Sequence, residues 1–246
     1  HGGGRGLEGR LDQALSASGV RALPHKGLAM GFARLHAGRT TAIMDAVAPP
    51  TGAASVNAHA STLAFELTSG RQPLIVNCGS GAAFGPEWHR AGRATPSHSV
   101  LGISGYSSSR LGPDGMMGRG SRGQLIEIPR EVWHQSEQLP EGMRLMAGHD
   151  GYVATHGMTH IRELTMAHDG RRLDGSDTLG AMSALDRRRF EEIFERGGLQ
   201  GIPFEIRFHL HPDVDATLDM GGAAVSMALK SGEIWILRHD GVADLT

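Results

Sequence analysis

The chain has 246 residues, 36 of them glycine, and a formal net charge of -2 at pH 7. That length allows one large domain or two smaller ones and can bury a substantial core. Lysine and arginine are dispersed, which argues against a nucleic-acid interface because such an interface needs a clustered basic face. The single cysteine, Cys78, excludes an intrachain disulfide, and no apolar stretch reaches the roughly 18 to 20 residues of a membrane span.

Residues 1–38 differ in pattern from the rest of the chain. Leu7, Leu11 and Leu15 recur at helical spacing. No initiator methionine or signal peptide is visible, and the sequence stops just after a turn signal. We therefore expect a piece of a longer protein, in which 1–38 is a linker or the remnant of a preceding helical domain. Residues 39–246 are predicted to form a β-domain that is truncated at its C-terminus.

From about residue 38 the sequence is typical of short strands separated by turns. The first long strand is predicted at 38–47. Leu63, Phe65 and Leu67 alternate with small or polar residues, as in a half-buried strand, and a turn at Gly70 leads to a second strand at 74–76. Further strand candidates are 100–103, 125–128, 132–134, 144–147, 152–154, 159–166, 171–173, 204–210 and two or three within 216–237.

One segment interrupts this β pattern. Asp186 to Glu195 is predicted to be a short helix, because Phe190, Ile193 and Phe194 lie on one helical face and Asp186 can cap the start. Many short strands punctuated by turns are typical of a sandwich and not of a parallel α/β sheet. The predicted fold class is therefore all-β, a large multi-stranded antiparallel β-sandwich with one short helical insertion.

Polar side chains fall at the ends of the predicted strands. His59 precedes the hairpin, Asn77 follows its second strand, and His98 begins the next apolar run. Rigid strand edges could make these three side chains converge. Arg90 and Arg93 lie on the segment that leads to His98, and an arginine can hold a carboxylate or sulfate through two parallel hydrogen bonds.

The pattern resembles the C-terminal β-domain of the heparinase II/III-like polysaccharide lyases over residues 39–246. The segments that carry the resemblance are Asn57-Ala-His59, Leu74-Ile-Val-Asn77-Cys-Gly79, Arg93-Ala-Thr-Pro-Ser-His98-Ser99 and Arg207-Phe-His209-Leu-His211-Pro212. Such lyases cleave a glycosidic bond next to a uronic acid by β-elimination, which needs a neutralised carboxylate, a base for the C5 proton and an acid for the leaving oxygen. In the family these groups come mainly from a helical domain, so the resemblance implies that this chain alone is inactive. Its own catalytic residues stay unknown.

The resemblance also implies a structural divalent metal, zinc or calcium, held by His59, Asn77 and His98. The family has an aspartate at the position of Asn77, and zinc takes Cys, His and carboxylate ligands. A metal-bound cluster and a metal-free, hydrogen-bonded cluster therefore both stay open. The residues predicted to bind substrate are Asn57, Arg90 and Arg93. Asn57 can donate a hydrogen bond to a uronate but cannot act as a general base near neutral pH.

The partners expected from the resemblance are an acidic polysaccharide and the preceding helical domain, with a homo-oligomer left open. A periplasmic or secreted location in a bacterium follows from the same resemblance. The alternative function is a non-catalytic glycan-binding or structural β-domain, which Asn57 and Asn77 favour. A third hypothesis is a metal-dependent enzyme of the small β-barrel type. Cys78 is predicted to be a buried thiol, and the histidine-rich stretch 149–160 a loop and strand edge.

Overall fold

The computed structural model describes residues 17, 27–113, 123–198 and 201–246. The predicted helical spacing of Leu7, Leu11 and Leu15 lies outside these residues. The strands are β1 (Phe32–Ala37), β2 (Thr40–Asp45), β3 (Phe65–Ser69), β4 (Gln72–Val76), β5 (Leu101–Ile103), β6 (Arg110–Leu111), β7 (Leu125–Glu127), β8 (Val132–Gln138), β9 (Gly142–Tyr152), β10 (Met158–Ala167), β11 (Leu173–Gly180), β12 (Phe204–Ile206), β13 (His209–Leu210), β14 (Asp215–Asp219), β15 (Ala224–Ala228) and β16 (Ile234–Arg238). The helices are α1 (Pro86–Gly92), α2 (Val153–His156) and α3 (Ala184–Arg196).

Two antiparallel sheets form the body of the fold. One has the strand order β1-β2-β3-β4-β13, and the other has the order β11-β10-β9-β8. A single apolar core joins them, with Leu35, Met44 and Leu74 from the first sheet and Leu145 and Met166 from the second. A three-stranded sheet, β14-β15-β16, and the strand pairs β5-β12 and β6-β7 complete the described part. The predicted all-β, antiparallel sandwich is confirmed.

The first sheet begins earlier in the chain than predicted. In place of one strand at 38–47, β1 and β2 form a hairpin that turns at Gly38. Gly38 has a φ of 54°, and a Cβ atom there would collide with the backbone oxygen of Asp169, so only glycine fits this turn. Six residues that were predicted to belong to the linker, 32–37, therefore pair within the sheet.

The helical insertion is confirmed, and it starts slightly before the predicted residue. Ser183 is the N-cap of α3: its hydroxyl accepts from the Asp186 backbone N–H at 3.1 Å, and the Asp186 carboxylate accepts from the Ser183 N–H at 3.0 Å. This reciprocal pair satisfies two backbone donors that a helix leaves unpaired. The short helices α1 and α2 were not predicted, because neither has the length needed to show a periodic apolar face.

A buried arginine of the second large sheet, Arg162, packs against the Phe65 ring of β3 in the first sheet, with its Cζ 5.3 Å from the ring centroid. Arg162 on β10 is 1% exposed and grips both carboxylate oxygens of Asp177 on β11 at 2.8 Å. Its Nη1 donates to the backbone oxygens of Leu63, at 3.0 Å, and Ser99, at 2.8 Å. Leu63 is buried with a φ of 67°, an uncommon conformation for a bulky residue, and Arg162 holds its carbonyl there. Arg162 therefore fixes the segments on both sides of the predicted site.

Two buried histidines extend this polar network. His160 Nε2 donates to Asp177 Oδ1 at 2.7 Å, so its Nδ1 accepts from His149 Nε2 at 3.3 Å. His149 Nδ1 in turn accepts from the Gly151 backbone N–H at 3.0 Å. Burial lowers the pKa of both histidines, which keeps them neutral. The prediction of a loop and strand edge for 149–160 was therefore wrong at His149, which lies inside β9, whereas His160 lies in β10, where a strand was predicted at 159–166.

Candidate functional site

The structure brings His59 and His98 into direct contact. His98 Nδ1 donates to the Ala94 backbone oxygen at 2.9 Å, so its Nε2 carries a lone pair. That lone pair accepts from His59 Nδ1 at 2.9 Å, and the rings meet edge to face. Burial lowers the pKa of each histidine to about 4, helped at His59 by the Arg93 charge and at His98 by the neighbouring imidazole. Both rings are therefore neutral near pH 7.

Asn77 is held by two hydrogen bonds of its own. Its amide oxygen accepts from the Ser99 backbone N–H at 2.9 Å, and its amide nitrogen donates to Glu66 Oε1 at 3.0 Å. The Ser99 hydroxyl continues this contact by donating to the Val76 backbone oxygen at 2.7 Å. Asn77 therefore joins the end of β4 to the residue that follows His98.

These contacts bear on the predicted metal. A zinc ion needs lone pairs that converge on it, mostly from histidine, cysteine or carboxylates. Here the lone pair of His98 Nε2 accepts a hydrogen bond from His59 Nδ1, and the oxygen and the nitrogen of the Asn77 amide each form a hydrogen bond within the protein. Among residues 27–113, 123–198 and 201–246, no group of three or more His, Cys, Asp or Glu side chains could hold a metal ion. The donor set fits the hydrogen-bonded cluster better than a zinc site, and metal binding stays an untested prediction.

Arg93 is buried and forms hydrogen bonds to the loop that precedes His59. It is 2% exposed, and it donates from Nε to the Ala58 backbone oxygen at 2.7 Å and from Nη2 to the Ser55 backbone oxygen at 2.8 Å. Its own carbonyl accepts from the Ala60 N–H at 2.8 Å. The guanidinium therefore organises the loop that carries His59, and its predicted contact with substrate stays a prediction. Asn57, the other predicted ligand in this loop, is exposed.

Arg90 lies on a different surface, the wall of an open cleft of about 1450 Å³. Among the described residues, Arg110 and Arg130 are the other arginines that line this cleft. Arg110 is paired with Glu127, and Arg90 Nη1 donates to the Gly112 backbone oxygen at 2.7 Å. Of the six residues predicted for the site, Arg90 is the one that lines this cleft.

The cleft and the histidine cluster share a wall. Ala94, which accepts the hydrogen bond from His98, also lines the cleft. Tyr106 lies in the cleft, is 49% exposed and meets the His156 ring edge to face, with ring centroids 4.5 Å apart. Tyr106 was not among the predicted site residues, because it belongs to a Gly- and Ser-rich loop without strand or helix periodicity. The cleft can therefore hold a polar ligand in front of the cluster.

Cys78 has a histidine neighbour. His209 Nε2 donates to the Pro96 backbone oxygen at 2.8 Å, and its Nδ1 lies 3.4 Å from Cys78 Sγ. Cys78 is exposed, so the prediction of a buried thiol was wrong. Partial burial nevertheless raises the pKa of the thiol, the opposite of what a reactive thiolate needs. The pair therefore joins the 76–79 segment to β13 and offers no activated nucleophile.

The comparisons with known proteins agree with this architecture. A family model described as heparinase II/III-like, C-terminal, matches residues 20–246. FtsZ-localized protein C of Caulobacter vibrioides (strain NA1000 / CB15N) is 32% identical in an alignment of 230 residues that covers 91% of this chain and 36% of that protein. The heparinase III BT4657 gene product with methylated lysines is similar in structure, with a TM-score of 0.57 and 15% identity over 89% of this chain and 29% of that chain.

The fold and the family match define a β-domain related to the polysaccharide lyases. The chain belongs to the heparinase II/III-like, C-terminal family, which confirms the resemblance found in the sequence. It spans about a third of the length of the two relatives, 36% of one and 29% of the other. No helix in the described part of the chain is both long and apolar enough to cross a membrane.

The His59–His98 pair yields a stability prediction. His59→Ala is expected to lower the free energy of unfolding by about 1–2 kcal/mol, because it leaves a buried acceptor on His98 without a donor. His36→Ala is the control, since His36 is exposed and bonds only to Thr41 on the neighbouring strand in the described contacts. Thermal unfolding followed by circular dichroism measures both. Equal melting temperatures for the two variants would show that the pair is not a structural element.

Proposed function

We propose that this domain supplies one wall of a glycan-binding cleft in a heparinase II/III-like polysaccharide lyase. The observation that carries the proposal is the open cleft with Arg90 on its wall, in a chain of this family. A uronate carboxylate suits a guanidinium because two parallel hydrogen bonds can form. The substrate class is a uronic-acid-containing polysaccharide.

The chemistry of β-elimination divides between this domain and a helical partner domain. Arg90 can neutralise the uronate, which makes the C5 proton more acidic. The histidines at 59 and 98 are neutral, His59 Nδ1 donates to His98 Nε2, His98 Nδ1 donates to the Ala94 oxygen, and neither ring lines the cleft. The base and the acid therefore come from the preceding helical domain, as in the family. Binding and orientation remain with the β-domain, in a periplasmic or secreted protein.

The test compares this chain with a longer protein that carries the helical domain. Both are incubated with polygalacturonate and heparan sulfate, and the absorbance of the unsaturated product is followed. The chain alone is expected to bind the polymer in affinity electrophoresis without cleaving it, and the longer protein to do both. Arg90→Ala should weaken binding about tenfold, the loss of one charge-assisted contact. Arg34→Ala, an exposed arginine on β1, is the matched control. Product formation by the chain alone would contradict the division of roles.

A second candidate is a non-catalytic glycan-binding or structural domain. One relative, 32% identical, has a name that places it with FtsZ and mentions no lyase activity. Asn57 and Asn77 stand where the resemblance expects a histidine and an aspartate, which also favours this candidate. Polymer binding without turnover by the longer protein would support it, and turnover would exclude it.

A further inference from the structure

One aromatic side chain lies within the cleft itself. Tyr106 lines the cleft and is 49% exposed, and among the described residues that line the cleft it is the only aromatic one. Its hydroxyl forms no hydrogen bond within the described part of the chain. A single exposed tyrosine is common on a protein surface, so exposure alone indicates little. The position of Tyr106 in a concave wall is the informative observation, because ligand sites are concave and lined by aromatic side chains with a few polar groups.

A buried histidine holds the Tyr106 ring. The rings of Tyr106 and His156 meet at 88° with centroids 4.5 Å apart, and His156 is 6% exposed. The Thr155 hydroxyl donates to the Tyr152 backbone oxygen at 3.3 Å, so it accepts from His156 Nδ1 at 2.8 Å and orients the imidazole. In an edge-to-face pair the edge of one ring meets a face of the other. His156 therefore covers at most one face of the Tyr106 ring.

The loop that carries Tyr106 is anchored to the segment that follows α1. The Ser107 hydroxyl accepts from the Thr95 backbone N–H at 3.1 Å, and the Ser108 backbone N–H donates to Thr95 Oγ1 at 2.9 Å. Thr95 and Ser108 are 1% and 3% exposed, and Thr95 follows Ala94, which lines the cleft. These buried hydrogen bonds fix the loop before any ligand binds, which lowers the entropy cost of binding.

We propose that Tyr106 is the residue of the cleft on which a sugar ring of the glycan packs, an inference that rests on the proposed function. A pyranose ring presents a face of C–H groups that packs on an aromatic ring, while its carboxylate stays free to reach a guanidinium. Tyr106 and Arg90 line the same cleft, so the apolar and the charged contact are offered to one polymer chain. The contact is made by the ring, and Tyr106 orients the sugar without transferring a proton.

The experiment measures binding of polygalacturonate and heparan sulfate to this chain by affinity electrophoresis. Tyr106→Ala is expected to weaken binding about 5- to 10-fold, the loss of one aromatic contact. Tyr106→Phe should retain most of the affinity, because the ring remains. Phe204→Ala is the matched control, since Phe204 is an aromatic residue of β12 that is 53% exposed and does not line the cleft. Melting temperatures, measured by circular dichroism, should stay close to that of the parent chain.

The outcomes separate this inference from the proposed function. If the parent chain binds neither polymer, the proposed function fails and the role of Tyr106 fails with it. If Arg90→Ala weakens binding but Tyr106→Ala behaves like Phe204→Ala, the role of Tyr106 alone is overturned. Equal loss of binding in Tyr106→Phe and Tyr106→Ala would also overturn it, because the hydroxyl and not the ring would then carry the contact. A Tyr106→Phe variant of the longer protein that binds like its parent but no longer cleaves the polymer would contradict it too, because Tyr106 would then transfer a proton.

Discussion

Replacing Asp177 by asparagine is expected to lower the free energy of unfolding by about 3–5 kcal/mol, the usual cost of leaving a buried charge without its partner. Asp177 accepts two hydrogen bonds from Arg162 and one from His160. The side chains of Arg162 and Asp177 are 2% and 7% exposed. Water therefore cannot solvate the Arg162 charge once the Asp177 carboxylate is removed. Urea denaturation followed by circular dichroism measures the change.

Asp174→Asn is the matched control, on the same strand. Asp174 pairs with Arg172 at 2.8 Å, but these side chains are 55% and 71% exposed. Exposed pairs contribute at most about 1 kcal/mol. A loss of similar size in the two variants would mean that Arg162 does not depend on Asp177 for its burial, and that the connection between the sheets lies elsewhere.

The effect of Asp177→Asn should also depend on pH. Burial alone would raise the pKa of Asp177, but the Arg162 charge and the hydrogen bonds from His160 and Arg162 outweigh burial and hold the pKa well below its usual range. The carboxylate therefore contributes its full stabilisation above the unfolded-state pKa of about 3.9 and loses it as the pH falls toward the folded-state pKa. We expect the stability difference between parent and variant to shrink from pH 5 to pH 2. A constant difference would contradict this assignment.

Arg93→Ala is expected to lower the free energy of unfolding by about 2–4 kcal/mol, because two backbone carbonyls lose their donor and a cavity is left. Those carbonyls, at Ser55 and Ala58, belong to the loop before His59. Arg93→Lys should fall between parent and alanine, since an ammonium cannot reproduce the planar fork of donors. Chemical denaturation gives the stability, and affinity electrophoresis with polygalacturonate gives binding.

Arg90→Ala is the comparison that separates structure from binding. Arg90 is only half-buried on the cleft wall, so its removal should change stability by less than about 1 kcal/mol and weaken glycan binding. Arg93→Ala should lower the stability but leave glycan binding unchanged, when binding is measured on protein that remains folded. If Arg93→Ala instead keeps its stability and loses binding, Arg93 is a substrate ligand, as the sequence predicted.

The class of fold was predictable because it depends on local pattern. Alternation at Leu63, Phe65 and Leu67 indicated the β3–β4 hairpin, whose strands pair from Leu67 to Ser69. The bulge at Leu67/Thr68 was not visible in that pattern. The helical spacing of Phe190, Ile193 and Phe194 indicated α3. This signal is local, because it depends only on residues a few positions apart in the chain.

The site was predictable only in part. The motifs correctly placed His59 and His98 together, although 39 residues separate them. They did not indicate that Arg93 is buried whereas Arg90 faces a cleft, because Arg93 follows the end of α1 and its burial depends on contacts with the distant loop at 55–58. Tyr106 was not predicted to belong to the site, because its Gly- and Ser-rich loop shows no strand or helix periodicity.

The sequence by itself determined the antiparallel β class, the helical insertion and the family, since all of these reside in the spacing of residues along the chain. Only the tertiary structure decided which polar side chains are buried and paired. Arg162, Asp177 and His149 are ordinary charged or polar residues in sequence, and they become a single network because three strands place them in one low-dielectric interior. Burial and pairing depend on contacts between distant segments, and a linear pattern contains no information about which segments meet.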